Sequence, residues 1–125
     1  YNSMKDSDPL ALIGFLADRL NAFKLAYLHV MRADFFGVQK ADVMPVAREK
    51  YKGVLVGNMG YSADEAEAAI AEGKLDVVAF GTAFLANPDL PARIRAKAPL
   101  NAPDSNTFYA GGAKGYTDYP TLQVA

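Results

Sequence analysis

An α/β fold with a parallel sheet is predicted by three observations. Apolar strands alternate with helices along the chain, the two later strands are near-continuous apolar runs, and both run into glycine-containing loops. Alternation at this spacing argues for right-handed crossovers between parallel strands. Unbroken apolar runs fit strands covered on both faces. Three strands make a poor independent sheet, and an open apolar edge invites further pairing. The chain is therefore expected to be part of a larger sheet.

The first helix is expected over 8–23. Asp8 suits the N-cap, Pro9 the first helical position, and Leu12, Leu16, Leu20 and Phe23 recur at helical spacing. Leu25 to Val30, bounded by Lys24 and Arg32, reads as a strand. Residues 32–39 carry Gly37 and lack periodicity, so they read as a loop, and Phe35 and Phe36 there suit a lid or plain packing. Asp42 to Tyr51 reads as a second helix, interrupted or started at Pro45. Gly53 to Val56 is a β-branched strand that empties into Gly57-Asn58-Met59-Gly60. Ser62 and Glu65 then have the spacing of a capping box, in which a hydroxyl and a carboxylate close a helix start reciprocally. That helix turns Ala63, Ala66 and Ile70 to one side and closes at Gly73. Leu75 to Phe80 is the third strand, ending at Gly81-Thr82, and a helix follows over 89–97. Beyond Pro99 the chain is rich in Asn, Pro, Gly and Tyr, and regular structure is not expected.

Composition narrows the chemistry. The chain has 125 residues, 51% hydrophobic and 22% charged, which is globular rather than disordered. A net charge of −1 with scattered Lys and Arg offers no basic face for nucleic acid. There are no cysteines, which excludes disulfides, thiolate metal sites and Cys nucleophiles. No apolar run nears the roughly 20 residues that span a bilayer, and the start YNSMKDSDPL lacks a signal-peptide pattern. No membrane role is expected, and the expected location is cytoplasmic. Tyr1 stands where an initiator methionine would, as though the chain were cut from a longer one.

Glycine loops after successive strands suit a phosphate. Glycine lets the backbone approach an anion, and free N–H groups at a helix start bring partial positive charge. In a closed parallel barrel the last two βα loops often form such a site. Either loop alone reads more readily as a plain turn, and the pair on adjacent strands brings the two readings level.

The words YLHV, GVLVGNMGYSADEAEAAIAEGKLDVVAFG, FLANPDLPARI, APLN and TFYAGGAKGYTDYP, in that order, resemble the Old Yellow Enzyme family of flavin-dependent alkene reductases. NPDL and GYTDYP are the most specific of them. The resemblance covers nearly the whole chain and corresponds to the C-terminal third of the family. It implies the C-terminal part of a (β/α)8 TIM barrel, its last two or three βα units plus a C-terminal loop. It also implies FMN as cofactor, with the phosphate against Gly57, Asn58 and Met59 and against Gly81 and Thr82. Tyr109 matches an aromatic residue of the substrate pocket. The family's cycle implies NADPH or NADH as reductant and a small activated alkene, such as an enone, maleimide or nitroalkene, as hydride acceptor, with nitrate-ester reduction a further reaction.

Two departures accompany the resemblance. Thr82 stands where the family usually has an Arg on the phosphate, and a lost charge-assisted hydrogen bond is worth about 1.5–3 kcal/mol. The family's carbonyl-binding pair, its proton-donating Tyr and its ring contacts lie upstream of this chain, so no catalytic residue and no metal ligand is assigned within it. Catalysis is expected to need the N-terminal portion of the barrel, as a separate chain or a missing segment. The rival reading is a catalytically silent half-barrel that serves binding or assembly, and an isomerase-like phosphate-binding barrel fits the loops but not the C-terminal words.

Plainer roles are expected for the remaining polar and aromatic residues. His29, the sole histidine, suits a core or supporting position. Asp64, Glu65 and Glu67 suit helix capping and a solvated face. Lys114 suits a surface charge, while Tyr116 and Tyr119 suit packing of the tail onto the barrel or onto a second copy in a homo-oligomer.

Overall fold

Three parallel strands in the order β1-β2-β3 form the sheet: β1 (Leu28–Met31), β2 (Leu55–Asn58) and β3 (Val77–Val78). The structure, a computed structural model, describes residues 6–32 and 38–123; Phe35 and Phe36 lie outside them. Leu28 pairs with Leu55 and Met31 with Asn58, while Val56 pairs with Val77. Helices α1 (Pro9–Leu20), α2 (Met44–Lys50) and α3 (Ala63–Ala71) accompany the strands; α4 (Thr82–Ala86) and α5 (Leu90–Ala96) follow. The chain divides into two units, Tyr1–Ala79 and Phe80–Ala125. None of the helices in the described residues is long and apolar enough to cross a membrane.

In the first unit the core gathers Val30, Val43, Met44, Ala47, Leu55, Ala69 and Leu75. Helix α1 starts as expected, with the Asp8 carboxylate accepting from the Ala11 N–H at 2.9 Å. It stops at Leu20 rather than Phe23, because the Asn21 amide takes over the end. Its Nδ2 donates to the Ala17, Asp18 and Lys50 carbonyls, and its Oδ1 accepts from the Lys52 N–H. Pro45 starts α2 instead of breaking it. The periodic leucines of α1 are not a buried face: Leu12, Leu16 and Phe23 are exposed, and Ala17 is the buried residue.

Every strand sits later or shorter than expected. The first is Leu28–Met31 rather than 25–30. The second is Leu55–Asn58 rather than 53–56, because Arg48 holds the Tyr51 and Gly53 carbonyls in a turn and pairing begins at Val54. Gly57 and Asn58 thus belong to the strand, not to the loop. A Cβ on Gly57 would lie 2.7 Å from Leu75 Cδ1, so its glycine keeps the core closed. The third strand keeps two residues, extended by the bonds Asp76 N–H to Leu55 C=O and Ala79 N–H to Gly57 C=O. Val77 is exposed, so only β2 is buried as a covered strand should be. The capping box of α3 forms, and its buried residues are Ala66 and Ala69, with Ile70 exposed.

In the second unit the tail is tied to α4 and α5 by a polar knot. Buried Asn87 accepts from the Asn101 N–H at 2.7 Å and donates to the Ala83 carbonyl at 2.9 Å. Asn101 donates to the Ala86 and Pro120 carbonyls. Arg93, also buried, donates to Asp89, Pro99 and Pro120. Asp89 in turn accepts from the Leu122 N–H at 2.7 Å. The Tyr119 hydroxyl accepts from the Asp104 N–H, a bond within the tail itself, and Tyr116 is exposed. One helical turn, Ser105–Thr107, interrupts an otherwise irregular tail.

Carboxylates brace both units. The Leu55 N–H, then Arg48, hold Asp76 below its ordinary range. The Leu122 N–H, then Arg93, do the same for Asp89. A carboxylate depressed in the folded state contributes stability above its unfolded value that is lost as pH falls through the folded one. Acid unfolding followed by circular dichroism is expected to set in below about pH 4, the ordinary carboxylate range. Asp89→Asn is expected to flatten that acid limb while lowering stability at neutral pH.

Candidate functional site

Beyond β2 the backbone turns sharply. Met59 has φ +87° and Gly60 +70°, and a non-glycine residue in that region is uncommon. One residue of β1's edge governs this turn. The Arg32 N–H donates to the Asn58 carbonyl at 3.2 Å, its Nε to the Met59 carbonyl at 2.7 Å and its Nη2 to the Gly60 carbonyl at 2.7 Å. The guanidinium also lies 3.8 Å from the centre of the Tyr61 ring and 3.5 Å from Glu65. Three successive carbonyls are therefore occupied by a single side chain and its own amide.

The amides of the same peptides are free. Among the described residues, the N–H groups of Met59, Gly60 and Tyr61 have no acceptor. The start of α3, by contrast, is closed: Ser62 Oγ accepts from the Glu65 N–H at 3.2 Å, and Glu65 Oε2 from the Ser62 N–H at 2.9 Å. Those bonds, first the Ser62 amide and then Arg32, hold Glu65 below its ordinary range. An anion arriving here meets loop amides, not the helix end. Asn58 adds a further open group, since its Oδ1 is buried without a partner. Because amide oxygen and nitrogen are assigned from their hydrogen bonds, this orphan is a polar position of either sense.

In the second unit, Gly81 is the N-cap of α4 and makes no side-chain bond. The N–H groups of Gly81, Thr82 and Ala83 have no acceptor among the described residues. A Cβ on Gly81 would meet nothing within 4 Å, and its φ of −91° suits any residue. Among the described residues, neither packing nor backbone conformation calls for glycine there. Tyr109 is 95% exposed, on the tail beyond Ser105–Thr107.

The structure settles several of the plainer expectations. His29 is exposed on β1 and so is not a core residue. Asp64 and Glu67 lie on the exposed face of α3, and Lys114 is at the surface. Arg32 and Tyr61 are the residues that sequence reasoning passed over. Arg32 read only as the charge that ends a strand, and no spacing marks an arginine that bonds a loop 27 residues away.

Each unit carries its own turn amides open to an anion. Among the described residues, the first unit offers the N–H groups of Met59, Gly60 and Tyr61 beside the orphaned Asn58 amide, and the second, taken by itself, offers those of Gly81, Thr82 and Ala83. The class this defines is a segment of a β/α protein with anion-ready turns after its strands.

No protein-family model matches the chain. It is 49% identical over 123 residues to a probable flavin mononucleotide-dependent alkene reductase of Leishmania infantum, covering 98% of this chain and 33% of that protein. The old yellow enzyme from Trypanosoma cruzi superposes with a TM-score of 0.93 at 45% identity, over 96% of this chain and 32% of that one. Morphinone reductase in complex with tetrahydroNAD superposes at 0.83 and 41% identity, over 95% and 32%. The chain belongs to the Old Yellow Enzyme family of oxidoreductases, and its fold is part of that family's TIM barrel. It spans about a third of the length of the curated relatives it matches.

Proposed function

We propose that this chain supplies the phosphate end of an FMN site, and one wall of a substrate pocket, in an NAD(P)H-dependent ene-reductase. The carrying observation is the row of acceptor-free amides after β2, beside the orphaned amide of Asn58. FMN, when bound, would supply the chemistry of hydride transfer from NADPH or NADH to an activated alkene. The chain's own residues hold and orient. Gly57 brings the strand end close, the Met59 amide donates, and Asn58 completes its own unmet bond. Gly81 leaves room for the anion, and Thr82 donates through its amide and hydroxyl. Tyr109 presents an aromatic face to the substrate. The proton donor and the carbonyl-binding pair belong to the N-terminal portion of the barrel, without which this chain is inactive.

Intact mass and visible absorbance of the purified protein test this reading. A yellow sample holding a further chain or segment about twice this length supports it, a size in keeping with a chain that covers 33% of its relative. A colourless lone fragment favours the silent half-barrel instead. With the barrel complete, Thr82→Arg is expected to tighten FMN about tenfold, the low end of one charge-assisted hydrogen bond. Fluorescence titration of the flavin checks it, and unchanged affinity counts against a phosphate at Thr82.

A further inference from the structure

We infer that Arg32 is a positioning residue for the phosphate, acting through the turn it grips rather than by touching the anion. The inference rests on the FMN reading above and goes beyond it. In a trans peptide the C=O and N–H lie in one plane and point in opposite directions. The carbonyls of Asn58, Met59 and Gly60 are all drawn to Arg32, so the amides of Met59, Gly60 and Tyr61 are turned from it. Successive N–H groups held in this way form a concave anion seat.

The grip is needed because the turn is not self-supporting. Met59 at φ +87° carries a side chain in a region that strains it, and such strain persists only where the surroundings over-determine it. Arg32 provides that determination with a planar fork across two carbonyls, steadied by the Tyr61 ring on its face. Three of its five N–H donors are engaged with Met59, Gly60 and Glu65, and it lies on the carbonyl side of the turn, away from the amides offered to the anion. A lysine keeps the charge but offers a point donor on a flexible stem, so it cannot bridge both carbonyls in the same plane.

The test compares FMN with riboflavin, which lacks the phosphate, in the completed barrel. Dissociation constants are measured by flavin fluorescence for the unsubstituted protein, Arg32→Ala and Arg32→Lys. The expected result is a preference for FMN that falls about tenfold in both variants, with riboflavin affinity unchanged. A general loss of structure would weaken both flavins alike and overturn the inference. So would a full rescue by Arg32→Lys, which would make Arg32 a charge and not a fork. If Arg32→Ala does not fold, Arg32→Lys alone carries the same comparison. Equal binding of FMN and riboflavin by the unsubstituted protein would instead sink the phosphate reading itself, and this inference with it.

Discussion

Gly115→Ala is expected to destabilise the second unit by about 4 kcal/mol, the largest effect of any single substitution considered. Gly115 has φ +70°, where an alanine costs about 1–2 kcal/mol relative to glycine. Its added Cβ would lie 1.8 Å from Thr107 Oγ1 and 2.4 Å from Thr107 Cβ. Overpacking of that kind costs about 1–3 kcal/mol. Thr107 cannot swing aside freely, since its hydroxyl donates to the Asp104 carbonyl at 2.8 Å. Gly115 is itself fixed by its N–H donating to Asp118 at 2.7 Å. The displaced residues lead directly into Phe108 and Tyr109, so the proposed pocket wall moves with them. Chemical denaturation measures the loss. Adding Thr107→Gly to Gly115→Ala removes the contact and is expected to return the packing part only, leaving the backbone part.

Asn87→Ala is expected to cost about 3 kcal/mol. The side chain is fully buried, and its removal strands the Asn101 N–H and the Ala83 carbonyl away from water. Each buried group left without a partner costs about 1–3 kcal/mol. Asn87→Asp keeps the acceptor for Asn101 but turns a carboxylate oxygen toward the Ala83 carbonyl, so it rescues little. Thermal unfolding of the two variants distinguishes a lost acceptor from a lost network. Equal stability of Asn87→Ala and the unsubstituted protein would remove the knot from the account.

These two residues explain why the family was legible at all. The most specific words, NPDL and GYTDYP, hold no proposed catalytic group. NPDL supplies Asn87 and Asp89, APLN supplies Asn101, and GYTDYP supplies Gly115, Asp118, Tyr119 and Pro120. Asn87, Asp89 and Asn101 join one hydrogen-bond knot with Arg93 and the Pro120 carbonyl, while Asp118 and Tyr119 make separate contacts, and each of these side chains needs a particular donor or acceptor at a particular place. Such demands fix residue identity more tightly than packing does, because hydrophobic side chains of similar volume substitute for one another.

The element types were equally plain, for local reasons. Asp8 with Pro9, and Ser62 with Glu65, are chemical statements about where a helix begins, and both hold. Strand limits were not legible, because a β-branched run does not reveal which of its carbonyls a distant arginine will take. Arg48 moved the second strand in this way. The helical spacing in α1 misled about burial for a different reason. Periodicity marks an apolar stripe, and Leu12 and Leu16 stay exposed among the described residues. The grip of Arg32 on the turn after β2 is a tertiary contact with no local signature, so the residue that organises the candidate site was invisible.

The most direct test of the central claim is a crystal structure of the completed, FMN-bound barrel. Phosphate oxygens are expected about 3 Å from the main-chain nitrogens of Met59 and Thr82, ordinary hydrogen-bond distances. A phosphate seated elsewhere, with those nitrogens facing only solvent, would contradict it.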